Sequence, residues 1–74
     1  MSVHDLDTSG LKCPLPVLKA KKALRVLDAG ERLRVIATDP SALNDFPAYC
    51  SEAGHTLIEA RSEETTYVFL IEKV

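Results

Sequence analysis

The sequence predicts an α+β fold, a two-layer sandwich in which two helices pack on a mixed four-stranded sheet in the chain order βαβαββ. Three observations predict it. The 74 residues leave room for one domain, residues 1–74, with a single core. Two stretches carry apolar side chains at helical spacing. Four further stretches are rich in β-formers, and the last two are joined by a short polar turn.

The chain begins with a predicted strand at Ser2 to Asp7, in which Val3 and Leu6 are the apolar residues. Asp7 to Lys12 is predicted as a loop. Gly10 within this loop tolerates positive φ, or lets another backbone approach closely. The cysteine that comes next therefore follows a turn.

The first helix is predicted from Pro16 to Asp28, with Gly30 as its stop signal. Its apolar face consists of Val17, Ala20, Ala23, Leu24 and Leu27. The opposite face is cationic and has apolar residues among its charges: Lys19, Lys22, Arg25, Leu18 and Val26. This helix thus combines a core-facing side with a surface suited to an acidic partner.

The second strand is predicted from Arg32 to Thr38, and Asp39-Pro40-Ser41 ends it with turn and cap chemistry. The residues of this strand that share its apolar face are Leu33, Val35 and Ala37. A second helix follows, and Gly54 closes it. Because Pro47 falls inside this helix, its start is predicted near Asp45, or a kink there. The predicted core stripe of the helix is Leu43, Phe46, Cys50 and Ala53.

Two final strands are predicted, at His55 to Ser62 and at Thr66 to Val74, joined in a hairpin by Glu63-Glu64-Thr65. Both sides of the last strand are apolar, since Tyr67, Phe69 and Ile71 alternate with Val68 and Leu70. The sheet face away from the helices is therefore expected to be partly open, and a partner or a second copy could cover it.

Composition narrows the function classes. A net charge of −2 gives no global attraction for nucleic acid, and no apolar run is long enough to span a bilayer. With only two cysteines, reduced thiols and a cytoplasmic location are expected. His4 and His55 form no close ligand pair with the cysteines, so neither a metal nor another cofactor is expected. The chain is expected to be a monomer or a weak homo-oligomer.

Cys13 is the candidate reactive residue. It lies where a loop meets the first helix, and unpaired N–H groups and the helix dipole there favour a thiolate, so a lowered pKa is expected. Pro14 and Pro16 fix φ on either side of Leu15 and act as the scaffold of the motif. The N–H of Leu15 is expected to stay available to the sulfur or to a partner. Asp39 is interpreted as a turn residue, because a carboxylate near the cysteine would oppose thiolate formation.

The segment Gly10-Leu11-Lys12-Cys13-Pro14-Leu15-Pro16, followed by Lys19, resembles the TusA/SirA-like sulfur carriers. The element order agrees, as do the Asp39-Pro40 turn, the Tyr49-Cys50 pair and Gly54-His55. The resemblance implies that Cys13 accepts sulfur as a persulfide from a cysteine desulfurase or rhodanese-type donor and passes it to an acceptor protein. It also implies that the carrier supplies sulfur to tRNA thiolation, molybdenum cofactor synthesis or sulfur-compound metabolism. The motif does not distinguish among these pathways.

Partner binding is expected around the motif. Lys12, Lys19 and Lys22 are positioned along the chain to steer an acidic surface, and Leu15 to anchor one. Better-known members of the family carry an acidic residue where this chain has Leu15, so its choice of partner is expected to differ.

Two other functions stay open on the sequence. The first is a regulatory interaction module in which the thiol is incidental. The second is a redox protein that cycles a disulfide between Cys13 and Cys50, which the predicted core position of Cys50 opposes. No base beside the motif completes an active site, so a carrier that serves enzymes is favoured over a stand-alone enzyme.

Overall fold

Four strands and two helices follow one another in the predicted order in the computed structural model, which describes residues 2–74. The elements are β1 (Val3–Thr8), α1 (Leu15–Arg25), β2 (Arg32–Ala37), α2 (Ala42–Ala53), β3 (Thr56–Glu63) and β4 (Thr66–Glu72). The predicted α+β class is confirmed, and every strand begins and ends within two residues of its predicted bounds.

The sheet is mixed, with the strand order β1-β2-β4-β3. β1 runs parallel to β2, and β4 runs antiparallel to both of its neighbours. The carboxyl ends of β1 and β2 therefore lie side by side, and the loops that lead to α1 and α2 leave the sheet at this edge. Loops at such an edge are a common place for a functional site in α/β units.

The core lies between the two helices and one face of the sheet. The predicted strand face of Leu33, Val35 and Ala37 is buried, as are Ala20 and Leu24 of α1. Phe46 of α2 stacks on Phe69 of β4, with ring centroids 4.6 Å apart. The one buried polar side chain among residues 2–74 is Thr8, whose hydroxyl donates to the Ile36 carbonyl at 2.6 Å. Its polar group is thus satisfied.

α2 begins at Ala42, so the predicted start near Asp45 is wrong. The N–H groups of Ala42 and Leu43 bond to the carbonyls of Asp39 and Pro40, and this turn secures the helix start well before Pro47. Pro47 removes only the helical bond to the Leu43 carbonyl, and Leu43 is 40% exposed, so water can take its place.

The buried stripe of α2 is Ala42, Phe46 and Cys50. Leu43 and Ala53, which were predicted on this stripe, are exposed. The buried residues follow one another at intervals of four. The helix is therefore rotated slightly about its axis from the predicted orientation, so that Ala42 and not Leu43 faces the sheet.

α1 ends at Arg25, three residues before the predicted Asp28. The N–H groups of Val26 and Leu27 bond to carbonyls three residues earlier, which tightens the last turn. The Asp28 N–H donates to the Glu31 carboxylate at 2.7 Å, and this bond belongs to the loop. Leu27 nevertheless packs against the core, as its place in the apolar pattern predicts.

The sheet face away from the helices is open, as expected, but ion pairs flank its apolar strip. The pairs are Arg34–Asp5, Arg32–Glu72, Arg61–Glu59 and Arg61–Glu63. Val68, which lies between these charged residues, is only 7% exposed. Long charged side chains can cover apolar surface with their stems. The charged side chains therefore shield Val68 from water, while Ile36 and Leu70 beside it stay half-buried.

Both ends of the described chain attach to one short segment. Arg32 N–H donates to the Ser2 carbonyl at 3.0 Å, Gly30 N–H donates to the Lys73 carbonyl at 2.8 Å, and Lys73 N–H donates to the Glu31 carbonyl at 2.9 Å. This segment precedes β2, at the sheet edge opposite to the loops described above. Neither helix of residues 2–74 is long and apolar enough to cross a membrane.

Candidate functional site

Cys13 lies in the loop between β1 and α1, at the edge where β1 and β2 end, and its side chain is exposed. Pro14, which follows it through a cis peptide bond, precedes the first residue of α1. Pro16 is buried in the first turn. The motif thus anchors the helix start in the protein while it leaves the thiol accessible.

The loop before Cys13 is tied to the end of β2. Gly10 has φ +81°, a conformation that L side chains rarely adopt, which confirms the expected positive φ. Its N–H donates to the Thr38 hydroxyl at 2.8 Å. Asp39 then holds two segments together, since one carboxylate oxygen accepts the Cys13 N–H at 2.6 Å and the other accepts the Ser41 N–H at 3.1 Å.

The N–H of Leu15 is not available to the sulfur or to a partner, contrary to expectation. It donates to the Lys12 carbonyl at 2.9 Å and closes a turn around the cysteine. The first helical bond follows, from Leu18 N–H to the Pro14 carbonyl at 3.1 Å. The turn from Lys12 to Leu15 thus uses the N–H group that was expected to be free.

The expectation of a lowered pKa at Cys13 is wrong. Hydrogen bonding of the thiol to the Asp45 carboxylate raises the pKa of Cys13, and partial desolvation and the charges of Asp45 and Asp39 add to the rise. The pKa of Asp39 is itself lowered by the N–H groups of Cys13 and Ser41, so its charge persists at neutral pH. Two carboxylates outweigh the helix dipole at this position.

A groove between α1 and α2 opens beside the thiol and has a volume of about 310 Å³. Its α1 side is formed by Cys13, Pro14, Val17, Leu18 and Lys21. Its α2 side is formed by Asp45, Ala48, Tyr49 and Glu52. We call this feature the interhelical groove. The groove is open to solvent, and the Cys13 thiol lies at one end of it.

The predicted partner-binding residues lie in two places. Lys12 is exposed and borders a depression that Gly10 and Asp39 also line. The others lie along the exposed side of α1, with Leu15 46% and Val26 81% exposed. We define the outer surface of α1 as Leu15, Leu18, Lys19 and Lys22 together with Val26, which directly follows the helix, and all five are exposed.

The second cysteine occupies the core. Cys50 is 2% exposed among the buried residues that surround Phe46, as predicted from the helical stripe, and burial raises its pKa. His4 pairs with Glu31, and His55 accepts the Val74 N–H at 3.3 Å. Across residues 2–74 no group of three potential ligands is arranged to hold a metal ion.

The sequence interpretation missed two carboxylates. Asp39 was correctly interpreted as a turn residue, but its bond to the Cys13 N–H was not foreseen. Asp45 was considered only as a helix start. A signal was present, because Asp45, Ala48, Tyr49 and Glu52 follow the same helical spacing as Pro14, Val17, Leu18 and Lys21, and these two stripes face each other across the groove.

Known proteins resemble this chain along nearly its whole length. A family model described as Sulfurtransferase TusA matches residues 4–73. The sulfur carrier protein TusA of Allochromatium vinosum is 48% identical over 70 residues, which cover 95% of this chain and 92% of that protein. A putative sulfur carrier protein of Neisseria meningitidis is 43% identical over 72 residues, 97% of each chain.

The fold also has a counterpart among solved structures. The crystal structure of a SirA-like protein from Desulfitobacterium hafniense superposes with a TM-score of 0.78 over 97% of this chain and 96% of that one. The two sequences are 24% identical, so this likeness concerns the arrangement of helices and strands.

Proposed function

The chain belongs to the TusA family of sulfur carriers, and we propose that it carries sulfane sulfur as a persulfide on Cys13. The observation that supports this most is the accessible thiol at the end of the interhelical groove, held there by the proline motif and by Asp39. An accessible thiol at the end of an open groove suits transfer from one protein to another.

The transfer needs no outside oxidant or reductant. The Cys13 thiol loses its proton, and its sulfur attacks the outer sulfur of a donor persulfide, so that a new S–S bond forms at Cys13. The S–S bond of the donor breaks, and the donor cysteine leaves as a thiolate and takes up a proton. One persulfide and one thiol give one persulfide and one thiol. In the delivery step an acceptor thiolate attacks the outer sulfur of the Cys13 persulfide, and Cys13 leaves as a thiolate.

The donor in this proposal is a cysteine desulfurase or a rhodanese-type protein, and the acceptor is a second protein. The pathway served is tRNA thiolation, molybdenum cofactor synthesis or sulfur-compound metabolism. The chain would act in the cytoplasm as a monomer or weak homo-oligomer, without contacting nucleic acid directly. The ion pairs that flank the apolar strip of the open sheet face are consistent with a monomer.

Docking is proposed to use the outer surface of α1 together with Lys12. Leu15 and Leu18 are exposed apolar residues next to the sulfur, and Lys19 and Lys22 add positive charge. Exposed apolar side chains rimmed by charge are typical of protein interfaces. A donor bound there would reach Cys13 at the end of the same helix.

Redox cycling between the two cysteines has weaker support. Cys50 is buried in the core, and its raised pKa keeps it protonated at neutral pH. A disulfide would have to join an exposed cysteine to one that is buried in the core.

The test is the intact mass and peptide map of the reduced protein after incubation with a persulfide-bearing cysteine desulfurase or a thiosulfate-charged rhodanese. The expected result is a gain of about 32 Da on Cys13, removed by dithiothreitol. Cys13→Ser is expected to gain nothing, and Cys50→Ala, the matched control, is expected to load normally. Loading of Cys13→Ser, or no loading of the unmodified chain from any donor, would reject the proposal.

A further inference from the structure

The surroundings of Cys13 are acidic, although the sequence near it is basic. Asp39 approaches from the loop after β2 and Asp45 from α2, while Glu52 lines the groove further along α2. Two cations are also close: Lys12 precedes the cysteine, and Lys21 lines the groove from α1. No ion pair within 4 Å joins either lysine to these carboxylates in residues 2–74. The carboxylates are therefore not neutralised by direct pairing.

Asp45 is the carboxylate that acts most directly on the sulfur. It lies in the first turn of α2, where its N–H donates to the Ser41 carbonyl at 2.9 Å, and its side chain faces Cys13 across the groove. It contributes the hydrogen bond that is the main cause of the raised pKa of Cys13, and its charge acts in the same direction. A fixed negative charge beside a nucleophile repels an anionic reactant.

We propose that Asp45 sets the substrate class of Cys13 by disfavouring small anionic sulfur compounds and leaving a cysteine persulfide presented by a docked protein as the substrate. This inference rests on the proposed carrier function. A docked protein gains contact energy on the outer surface of α1, which offsets the local repulsion. A free anion such as thiosulfate gains none.

The disfavoured reaction, sulfur transfer from thiosulfate to Cys13, balances without any further reactant. The Cys13 sulfur would attack the outer sulfur of thiosulfate, the S–S bond of thiosulfate would break, and sulfite would leave with the bonding electron pair. The thiol proton would pass to solvent or to the new persulfide, so nothing else is consumed. The approach of a doubly charged anion to Asp39 and Asp45 adds an electrostatic barrier to it.

The test compares alkylation of Cys13 by neutral iodoacetamide and by anionic iodoacetate, read by peptide mass, at several pH values and low salt. Both rates scale with the thiolate fraction, so their ratio isolates the effect of charge on approach. In Asp45→Asn the iodoacetate-to-iodoacetamide ratio is expected to rise about threefold or more, and to converge on the wild-type ratio as salt screens the charge. The pH midpoint of alkylation should also move lower.

Two variants serve as controls. Asp45→Glu keeps the charge and is expected to retain the wild-type ratio, whereas Glu52→Gln removes a groove carboxylate that does not contribute to the pKa of Cys13 and should change the ratio less. Asp45→Asn should also load more from free thiosulfate than the wild type does. An unchanged ratio in Asp45→Asn overturns the proposal.

The two proposals fail in different ways. Loading of the wild type by a protein donor, combined with an unchanged alkylation ratio, would reject the role of Asp45 and keep the carrier function. A raised ratio without loading from any protein donor would reject the carrier function, and with it the assignment of a protein persulfide as substrate.

Discussion

At Cys13, two electrostatic effects act in opposite directions. The start of α1 favours a thiolate, while Asp45 and Asp39 favour the neutral thiol and prevail. A protonated resting thiol resists oxidation and alkylation, since the thiolate is the reactive form. The sulfur is thus accessible, but the raised pKa keeps the thiolate fraction low at neutral pH.

The motif itself was predictable from local sequence, because Cys13, Pro14 and Pro16 are neighbours and Gly10 signals the turn. The groups that control the pKa of this thiol could not be predicted from local sequence. Asp45 is 32 positions further along the chain, and its approach depends on how α2 packs against α1. The matching helical spacing of residues 14–21 and 45–52 gains its meaning only once α2 is known to pack against α1.

Asp39→Asn is expected to lower the melting temperature at neutral pH, because one of the two carboxylate acceptors is replaced by an NH₂ group facing an N–H donor. The pKa of Asp39 is lowered in the folded protein. Its contribution is therefore present above the ordinary carboxyl pKa and is lost as the pH falls through the lowered value.

The measurement is the melting temperature of both proteins as a function of pH. The difference between them should be largest near neutrality and should shrink in acid. Asp28→Asn is the matched control, since the Asp28 side chain is exposed and accepts no hydrogen bond within residues 2–74. A difference that stays constant into acid would contradict the role assigned to the Asp39 charge.

Among the elements, α1 follows its apolar pattern closely, whereas α2 does not. The predicted and observed stripes of α2 share Phe46 and Cys50, and they differ because Ala42 was not recognised as a core residue. By hydrophobicity alone, Leu43 is a better candidate for the core than Ala42. Ala42 is buried because the helix start packs closely on the sheet, and this packing is a tertiary property.

Phe46→Ala is expected to cost about 3–5 kcal/mol of unfolding free energy, because it removes a fully buried ring stacked on Phe69. Leu43→Ala, on the same helix at a 40% exposed position, should cost less than about 1 kcal/mol. Urea unfolding measures both. If Phe46→Ala does not fold, Phe46→Leu still should cost more than Leu43→Ala, and the reverse order would contradict the observed stripe.

For the whole molecule, the parallel pairing of β1 with β2 decides where the site lies. It brings the loops before α1 and α2 to one sheet edge, so Cys13 and Asp39 meet although 26 positions separate them. The element order that implies this pairing was predictable from periodicity. The outer surface of α1, on which we propose that a protein donor docks, adjoins this site.

Leu15→Ala combined with Lys22→Ala is expected to raise, by about tenfold, the concentration of protein donor needed for half-maximal loading, because an apolar anchor and a charge are lost. The rate of alkylation by iodoacetamide should not change. Ile58→Ala is the matched control, since Ile58 is 41% exposed and Leu15 is 46% exposed, but Ile58 lies on β3. An equal effect of both changes would argue against docking on α1.

The attachment of Ser2 and Lys73 to the segment before β2 has a practical consequence for how the sulfur is presented. A tether fused to either terminus would leave the molecule at the edge opposite to Cys13. The chain can therefore be joined to a larger polypeptide, or immobilised on a surface by one or both ends, with Cys13 pointing away from the attachment. Fusion at the β3–β4 turn, which lies at the sulfur-bearing edge, would lack this advantage.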